Sequence, residues 1–194
     1  MVADEATLLE QARAGDGRAF GSLVRSHDAV LRGLAYHLLG SREAMDDALQ
    51  DAYLKAHRGL AGFRGEASVR TWLYGITYRT CIDHLRARRR RPTDPIDVDR
   101  LPADRVDRIS ALEDRLRLRA ALDRLPPEQR AVVLAVDVAG LSYDEVAAAL
   151  GVAPGTVGSR LNRARTALRA ELRDPPDERS TAGDRRNEDG HGTA

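Results

Sequence analysis

The sequence predicts an all-α protein made of two small helical domains joined by a flexible linker, the second domain containing a helix-turn-helix. Ala and Leu are abundant and runs of β-branched residues are few, which favours helices over strands. Apolar residues recur every three or four positions, as in amphipathic helices. Pro92–Asp107 lacks this periodicity and is rich in Pro and Asp, so it is expected to be extended and mobile.

These patterns divide the 194 residues into four expected segments. A first helical domain covers residues 1–92, a flexible acidic linker 93–111, a helix-turn-helix domain 112–173 and a disordered acidic tail 174–194. The net charge of +1 hides an uneven distribution, because the first domain has 15 Lys and Arg against 11 Asp and Glu, whereas the tail has 3 against 6. Two basic units separated by an acidic connector suit a protein that touches a polyanion at two places.

The helix-turn-helix is predicted from local signals between Leu141 and Arg169. Ser142 and Glu145 have the spacing of a capping box, Gly151 can end the first helix, and Pro154 can begin the second. The outward face of the second helix is polar and cationic, so it can hydrogen-bond base edges and neutralise phosphates. An ordinary helical hairpin with a solvated basic face is the alternative. The residues of this face are Thr156, Ser159, Arg160, Asn162, Arg163 and Arg165.

Two stretches of the first domain are candidates for contacts with partners. The helix predicted over Ser41–Arg58 has an acidic face, which is either solvated or docks on a basic partner helix. The loop Gly59–Ala67 displays Phe63 and Arg64, which either hold an unstacked base or leave Phe63 in the core. The acidic face consists of Asp46, Asp47, Gln50 and Asp51.

The helix predicted over Ser68–Arg91 ends in five Arg within six residues. Cations at a helix C-terminus are favoured by the dipole, but five exceed what capping needs, so phosphate contact is the better interpretation. Aromatic residues interleaved with Arg are typical of proteins that bind single-stranded or melted nucleic acid. Trp72 is alternatively a core anchor, and Tyr74 and Tyr78 are expected outside the inward stripe of this helix.

Several classes of function are disfavoured by what the sequence lacks. It has no P-loop, nucleophile-elbow or zinc-protease motif and no Cys and His cluster, so we expect no enzyme, cofactor, metal site or small-molecule substrate. The single Cys81 and the acidic start indicate a reducing, cytoplasmic location. No apolar run approaches the roughly 20 residues of a membrane span, so direct membrane insertion is not expected.

Two blocks in fixed order, Asp46–Arg86 and Leu122–Arg169, resemble the bacterial extracytoplasmic-function sigma factors of the sigma-70 family. The resemblance rests on DDALQD, FRG, TWL and DHLR in the first block, and on LPPEQR and GTVGSRL in the second. It covers about residues 5–172 and implies a region 2 domain followed by a region 4 domain. Arg79 departs from the family, which usually has Asn there, and Gly75 stands where a basic residue is common.

The resemblance implies a promoter-specificity subunit that binds core RNA polymerase and directs initiation at −35 and −10 promoter elements. The acidic face would dock on the clamp of the largest polymerase subunit, and the second domain on the flap of the second largest. An anti-sigma factor would hold such a protein inactive. The implied −10 residues are Phe63, Arg64, Trp72, Arg79, Asp83 and Arg86; Ser159, Asn162 and Arg163 would read the −35 element, with Thr156 and Arg160 at phosphates.

The alternative function is a stand-alone helix-turn-helix regulator. Such a protein needs a dimerisation element to match two half-sites on DNA. The sequence has no heptad seam or additional long helix for that purpose, so the sigma-factor hypothesis is preferred.

Overall fold

The structure, a computed structural model, describes residues 4–90 and 109–173. Within these ranges all regular structure is helical, which confirms the predicted all-α class. The predicted linker, except for its last three residues, and the predicted tail lie outside the described residues. The first half contains α1 (Glu5–Arg13), α2 (Gly17–Arg25), α3 (Asp28–Leu39), α4 (Arg42–Gly59) and α5 (Val69–Arg90); the second contains α6 (Ile109–Arg124), α7 (Pro127–Val133), α8 (Tyr143–Leu150) and α9 (Pro154–Arg173).

Short polar and glycine signals set the helix boundaries of the first half. The Asp16 side chain accepts hydrogen bonds from the main-chain N–H groups of Arg18 and Ala19 and so caps α2. Gly40, at φ +81°, ends α3, and the Ser41 hydroxyl then caps α4. These caps turn the chain sharply between helices, so that α3, α4 and α5 form a compact bundle.

The helix-turn-helix forms as its local signals predict. Ser142 and Glu145 make both hydrogen bonds of the capping box at the start of α8. Gly151 ends α8 at φ +67°, and Pro154 is the first residue of α9. The supporting helix α7 continues into a π-helical turn over Leu134–Val138, which leads into α8.

The two halves pack against each other, which the sequence did not indicate. Helix α5 lies on α8, while α3 touches α6 and α7. The buried apolar side chains form one main cluster that extends from Leu23 in the first half to Ala164 in the second. The linker therefore joins two units that share a core in this conformation.

Helix α5 buries two faces, which corrects the expectation of a single inward stripe. Val69 and Leu73 are buried as predicted. Tyr74 and Tyr78, expected elsewhere on the helix, are also buried, at 0% and 8% exposure. The Tyr74 hydroxyl donates to the main-chain oxygen of Ala131 at 2.9 Å, so this second face meets the second half of the chain.

Candidate nucleic-acid and protein interfaces

The outward face of α9 displays three of the five side chains assigned to −35 DNA. Ser159, Asn162 and Arg163 are exposed, whereas Thr156 and Arg160 are half-buried. The Ser159 hydroxyl donates to the main-chain oxygen of Thr156 at 3.1 Å, which leaves its own lone pairs open to solvent. On the described residues the Arg163 guanidinium forms no ion pair, so it is available to an outside acceptor.

Arg165 differs from the other cations of this face because it is already paired. Its guanidinium contacts the Asp137 carboxylate through two hydrogen bonds of 2.5 and 3.2 Å. Asp137 comes from the turn after α7, because the stretch Thr156–Arg169 of α9 contains no carboxylate that could balance the charge. The pair joins α9 to the turn after α7 and removes one charge from the cationic face.

Hydrogen bonds fix the start of α8, the helix that packs against α9. The Glu145 carboxylate accepts from the main-chain N–H of Ser142 at 2.9 Å and from the Thr71 hydroxyl at 3.1 Å. These hydrogen bonds hold the pKa of the Glu145 carboxyl below its usual range, and the one from the Ser142 N–H has the largest effect. Val157 and Leu161 then anchor the inner face of α9 in the core.

In the loop before α5, Phe63 is tucked inward rather than displayed. Its exposure is 8%, and its ring packs against that of Trp72 with centroids 4.8 Å apart. Arg13 of α1 lies over the Phe63 ring at 5.6 Å and also donates to the Phe63 main-chain oxygen. Arg64 remains exposed, so in this conformation the loop presents a cation and conceals the aromatic ring.

The polar residues assigned to α5 are exposed, and each has a contact within the protein. Arg79 donates from Nη1 to the main-chain oxygen of Ala149 in α8 at 3.2 Å. Asp83 lies 3.8 Å from Arg86 and 3.9 Å from Lys55, which are loose surface pairs. The exposed Arg at the end of the helix extend this cationic edge: Arg86, Arg88, Arg89 and Arg90.

All four residues of the acidic face on α4 are exposed. Asp46 forms an ion pair with Arg32 of α3 at 2.8 Å. Asp51 contacts His84 of α5 at 2.8 Å. Asp47 is exposed and has no ion pair on the described part of the chain, so its charge is open to an outside partner.

Arg130, in the LPPEQR block, had no assigned role in the sequence interpretation. It is 8% exposed, and it donates to the main-chain oxygens of Leu125 at 2.9 Å and of His37 in the other half. In the sequence, only its position shortly after a Leu-Pro corner could have indicated a structural role for Arg130. Its residue type does not, because Arg is seldom buried.

Two family models match the chain in the same order as the two halves of the fold. Residues 23–91 match sigma-70 region 2, and residues 115–168 match sigma-70 region 4. An ECF RNA polymerase sigma factor of Mycobacterium tuberculosis, SigM, is 46% identical over 164 residues, covering 84% of this chain and 82% of the relative. The chain belongs to the extracytoplasmic-function sigma factors of the sigma-70 family.

Two solved structures have a similar fold. The sigma factor RpoE of Bartonella quintana, crystallised in complex with the anti-sigma factor NepR, is 26% identical with a TM-score of 0.68 and coverage of 79% of this chain and 96% of that one. CnrH, in complex with the cytosolic domain of CnrY, is 29% identical with a TM-score of 0.66 and coverage of 86% and 96%. The alignments therefore take in nearly the whole of both matched chains.

Sigma factors are DNA-binding initiation factors of transcription, and the surfaces of this one fit that role. The described part of the sigma factor contains no group of three His, Cys, Asp or Glu side chains placed to hold a metal ion. None of its described helices is long and apolar enough to span a membrane. Its accessible polar features are instead the cationic face of α9, the Arg-rich end of α5 and the acidic face of α4.

Proposed function

We propose that this sigma factor docks on the clamp of core RNA polymerase through the acidic face of α4. The observation that carries this assignment is the row of exposed carboxylates on one helix, which an isolated helix would disfavour because like charges repel. A basic partner helix would relieve that repulsion. Asp47, which lacks an ion pair on the described residues, is the first contact point, whereas Asp46 and Asp51 must exchange their present partners.

The cationic face of α9 is the proposed reader of the −35 element. Ser159, Asn162 and Arg163 are solvent-accessible on a helix held rigidly by its capping-box neighbour, so they can enter a major groove. Arg is suited to bidentate hydrogen bonds with guanine, and Asn to those with adenine. Thr156 and Arg160, nearer the helix flank and half-buried, are proposed to contact phosphates.

The loop before α5 and the outer edge of α5 are proposed to bind the melted −10 element. Arg64, Arg79, Asp83 and Arg86 supply polar contacts to the strand. Phe63 and Trp72 form a tilted ring pair on which an unstacked base can be placed, once the loop has moved to uncover the rings. The second half is also proposed to rest on the flap of the second-largest polymerase subunit.

An anti-sigma factor is the proposed negative regulator. Both solved structures compared above are complexes: the sigma factor RpoE with the anti-sigma factor NepR, and CnrH with the cytosolic domain of CnrY. The second half of this chain exposes Leu116 and Leu118 on α6 and Leu172 on α9, apolar side chains that a protein partner can cover. A protein captured by this sigma factor counts as its anti-sigma factor only if it abolishes transcription when it is added to the assembled polymerase.

The proposal predicts weak promoter binding by the isolated chain. A short recognition helix supplies about 1–3 kcal/mol per base contact, so the −35 and −10 contacts gain strength only when the polymerase holds them together. The test compares binding to a promoter duplex by the free chain, core polymerase and the mixture. Specific binding by the mixture alone is expected, and a nanomolar specific complex of the free chain would contradict the proposal.

A further inference from the structure

Arg165 of α9 is neutralised by an acid from outside its own helix. Its Nε and Nη2 atoms donate to the two carboxylate oxygens of Asp137, at 3.2 and 2.5 Å. Both side chains of the pair are partly exposed, that of Arg165 at 42% and that of Asp137 at 37%. Solvated ion pairs contribute little to stability, so the main consequence of this pair is the charge that it removes from α9.

Asp137 is held in place by the turn that carries it. It lies in the π-helical turn Leu134–Val138, in which the Ala139 N–H donates to the main-chain oxygen of Leu134 at 2.8 Å. The Leu134 side chain is buried and anchors the turn in the core. π-Helical turns are rare and occur frequently at functional sites. The fold itself therefore presents this carboxylate to Arg165.

Arg165 borders the residues that are proposed to read the −35 element. It follows Asn162 by three positions, and residues at this spacing are neighbours on a helix surface. Proteins hold their register on DNA largely through contacts from Arg and Lys to phosphates. A free cation at position 165 would be placed for such a contact when Asn162 and Arg163 enter the major groove.

The Asp137 carboxylate occupies the part of the guanidinium that a phosphate would use. Arg binds carboxylates and phosphates alike, through two parallel N–H···O hydrogen bonds to two oxygens. The Nε and Nη2 edge of Arg165 already makes both of these bonds to Asp137. A DNA phosphate can take that edge only in exchange for the acid.

We propose that Asp137 takes the place of a DNA phosphate on Arg165 in the free chain and thereby limits sequence-independent DNA binding. The inference rests on the proposed function, because it takes α9 as the helix that meets DNA. Sequence-independent affinity comes from phosphates neutralised by Lys and Arg, so each contact that is withheld lowers it. A sigma factor in which Arg165 is occupied binds random DNA less and remains available to core polymerase.

The test removes this acid and, as a control, an acid that pairs with a different Arg. Asp137→Ala leaves Arg165 without its carboxylate, whereas Asp137→Glu keeps a carboxylate at that position. Glu171→Ala is the matched control, because Glu171 of α9 pairs with Arg124 of α6, away from the residues proposed to read DNA. The two alanine variants change the net charge equally, and all variants are made in the full chain.

The measurement is the affinity of each chain for a labelled duplex of random sequence, by fluorescence anisotropy between about 0.05 and 0.2 M salt. Asp137→Ala is expected to bind about fivefold more tightly at about 0.1 M salt, because one phosphate contact is added. The slope of log affinity against log salt should steepen by about 0.9, the value for one phosphate. Glu171→Ala and Asp137→Glu are expected to remain within about twofold of the wild type and to keep its slope.

A double-mutant cycle with Arg165→Ala shows whether the gain in affinity comes through Arg165. Arg165→Ala alone is expected to change the affinity for the random duplex by less than about twofold, because the guanidinium is already occupied. In the Asp137→Ala background the same substitution should abolish the gain. A gain that persists without Arg165 would overturn the proposed exchange.

The outcomes separate this inference from the proposed function. An Asp137→Ala chain that binds the random duplex no more tightly than Glu171→Ala would overturn the inference alone. Absence of promoter-directed transcription by core polymerase with the wild-type chain would instead remove the proposed function, and this inference with it. If circular dichroism shows that Asp137→Ala is unfolded, Asp137→Asn, whose side chain has the same shape, is compared with Glu171→Gln by the same criteria.

Discussion

Arg130 of α7 donates a hydrogen bond to the main-chain oxygen of His37 in α3, and this bond joins the two halves of the chain. The same guanidinium donates to the main-chain oxygens of Asp123 and Leu125, at 2.5 and 2.9 Å. One side chain therefore closes the corner between α6 and α7 and attaches that corner to the first half. Arg130 is itself 8% exposed, and its loss would remove the donor from these main-chain oxygens, of which that of Leu125 is in a buried hydrogen bond.

The first prediction concerns the stability supplied by this residue. Arg130→Ala is expected to lower the free energy of unfolding by about 3 kcal/mol, because buried carbonyl groups lose a charged donor. Urea unfolding followed by circular dichroism measures the change. The control is Arg124→Ala, whose side chain is 66% exposed and pairs with Glu171 at the surface, so a loss of at most about 0.5 kcal/mol is expected. Equal losses in the two variants would contradict this role for Arg130.

The second prediction is a dependence of stability on pH that arises from His37. Burial lowers the pKa of His37 below its usual 6.5, with Asp123 opposing and Arg130 and Arg119 reinforcing the shift. Its buried Nδ1 has no hydrogen-bond partner on the described residues. The unfolded chain thus takes up a proton at higher pH than the folded chain, so the free energy of unfolding should fall as the pH drops below about 6.5.

His37→Gln tests the origin of that dependence. Unfolding by urea is measured between about pH 7.5 and about pH 5.5 for the wild type, His37→Gln and the control His57→Gln, which alters an exposed histidine of α4. The slope of stability against pH should flatten in His37→Gln only. A slope that survives in His37→Gln would show that another group titrates.

The third prediction concerns the acidic face of α4. Asp47→Asn is expected to weaken binding to core polymerase about tenfold, equivalent to ~1.4 kcal/mol, because an accessible charge is lost from the contact. Fluorescence anisotropy measures the affinity. Glu10→Gln removes an exposed carboxylate from α1, outside this face, and should leave the affinity unchanged. If both variants weaken binding equally, the effect is one of overall charge and the assigned docking face is wrong.

The fourth prediction concerns base recognition by α9. Arg163→Ala is expected to reduce promoter-specific transcription about ten- to hundredfold, the loss that corresponds to ~1–3 kcal/mol for one bidentate base contact. The measurement is the amount of transcript in a reaction with core polymerase. Arg169→Ala, which removes another exposed cation of the same helix, should cost much less. Similar losses for the two variants would indicate phosphate neutralisation and not base recognition.

The elements of the helix-turn-helix could be predicted from the sequence because short-range chemistry decides them. Ser142 with Glu145, Gly151 and Pro154 each fix a local conformation whatever the rest of the chain does, and all four occupy the expected positions. The acidic face of α4 was predictable for a similar reason, since charged side chains at helical spacing mark an exposed surface.

The contact between the halves could not be predicted because its residues carry no apolar pattern. Thr71 and Gly75 are not hydrophobic, so the second buried face of α5 is absent from the periodicity that marks the first. Tyr74 lies off the inward stripe of this helix, so the periodicity predicts it outside the core. Likewise, Arg130 reads as a surface cation until the main-chain oxygens around it are known.

The partners of Phe63 also could not be predicted from the sequence. Both of its possible positions, in the core or displayed to a base, were consistent with a glycine-flanked loop. The structure places it inward because Trp72 and Arg13 enclose the ring. Arg13 is 50 residues away in sequence, and no local pattern connects it with that loop.

Multi-round transcription with purified core polymerase, with and without this sigma factor, tests the central claim most directly. Genomic promoter fragments serve as templates and start sites are mapped. The account predicts new start sites that appear only when the sigma factor is present, each preceded by shared sequences near positions −35 and −10. Absence of both polymerase binding and new start sites would contradict it and would leave a stand-alone helix-turn-helix regulator as the better hypothesis.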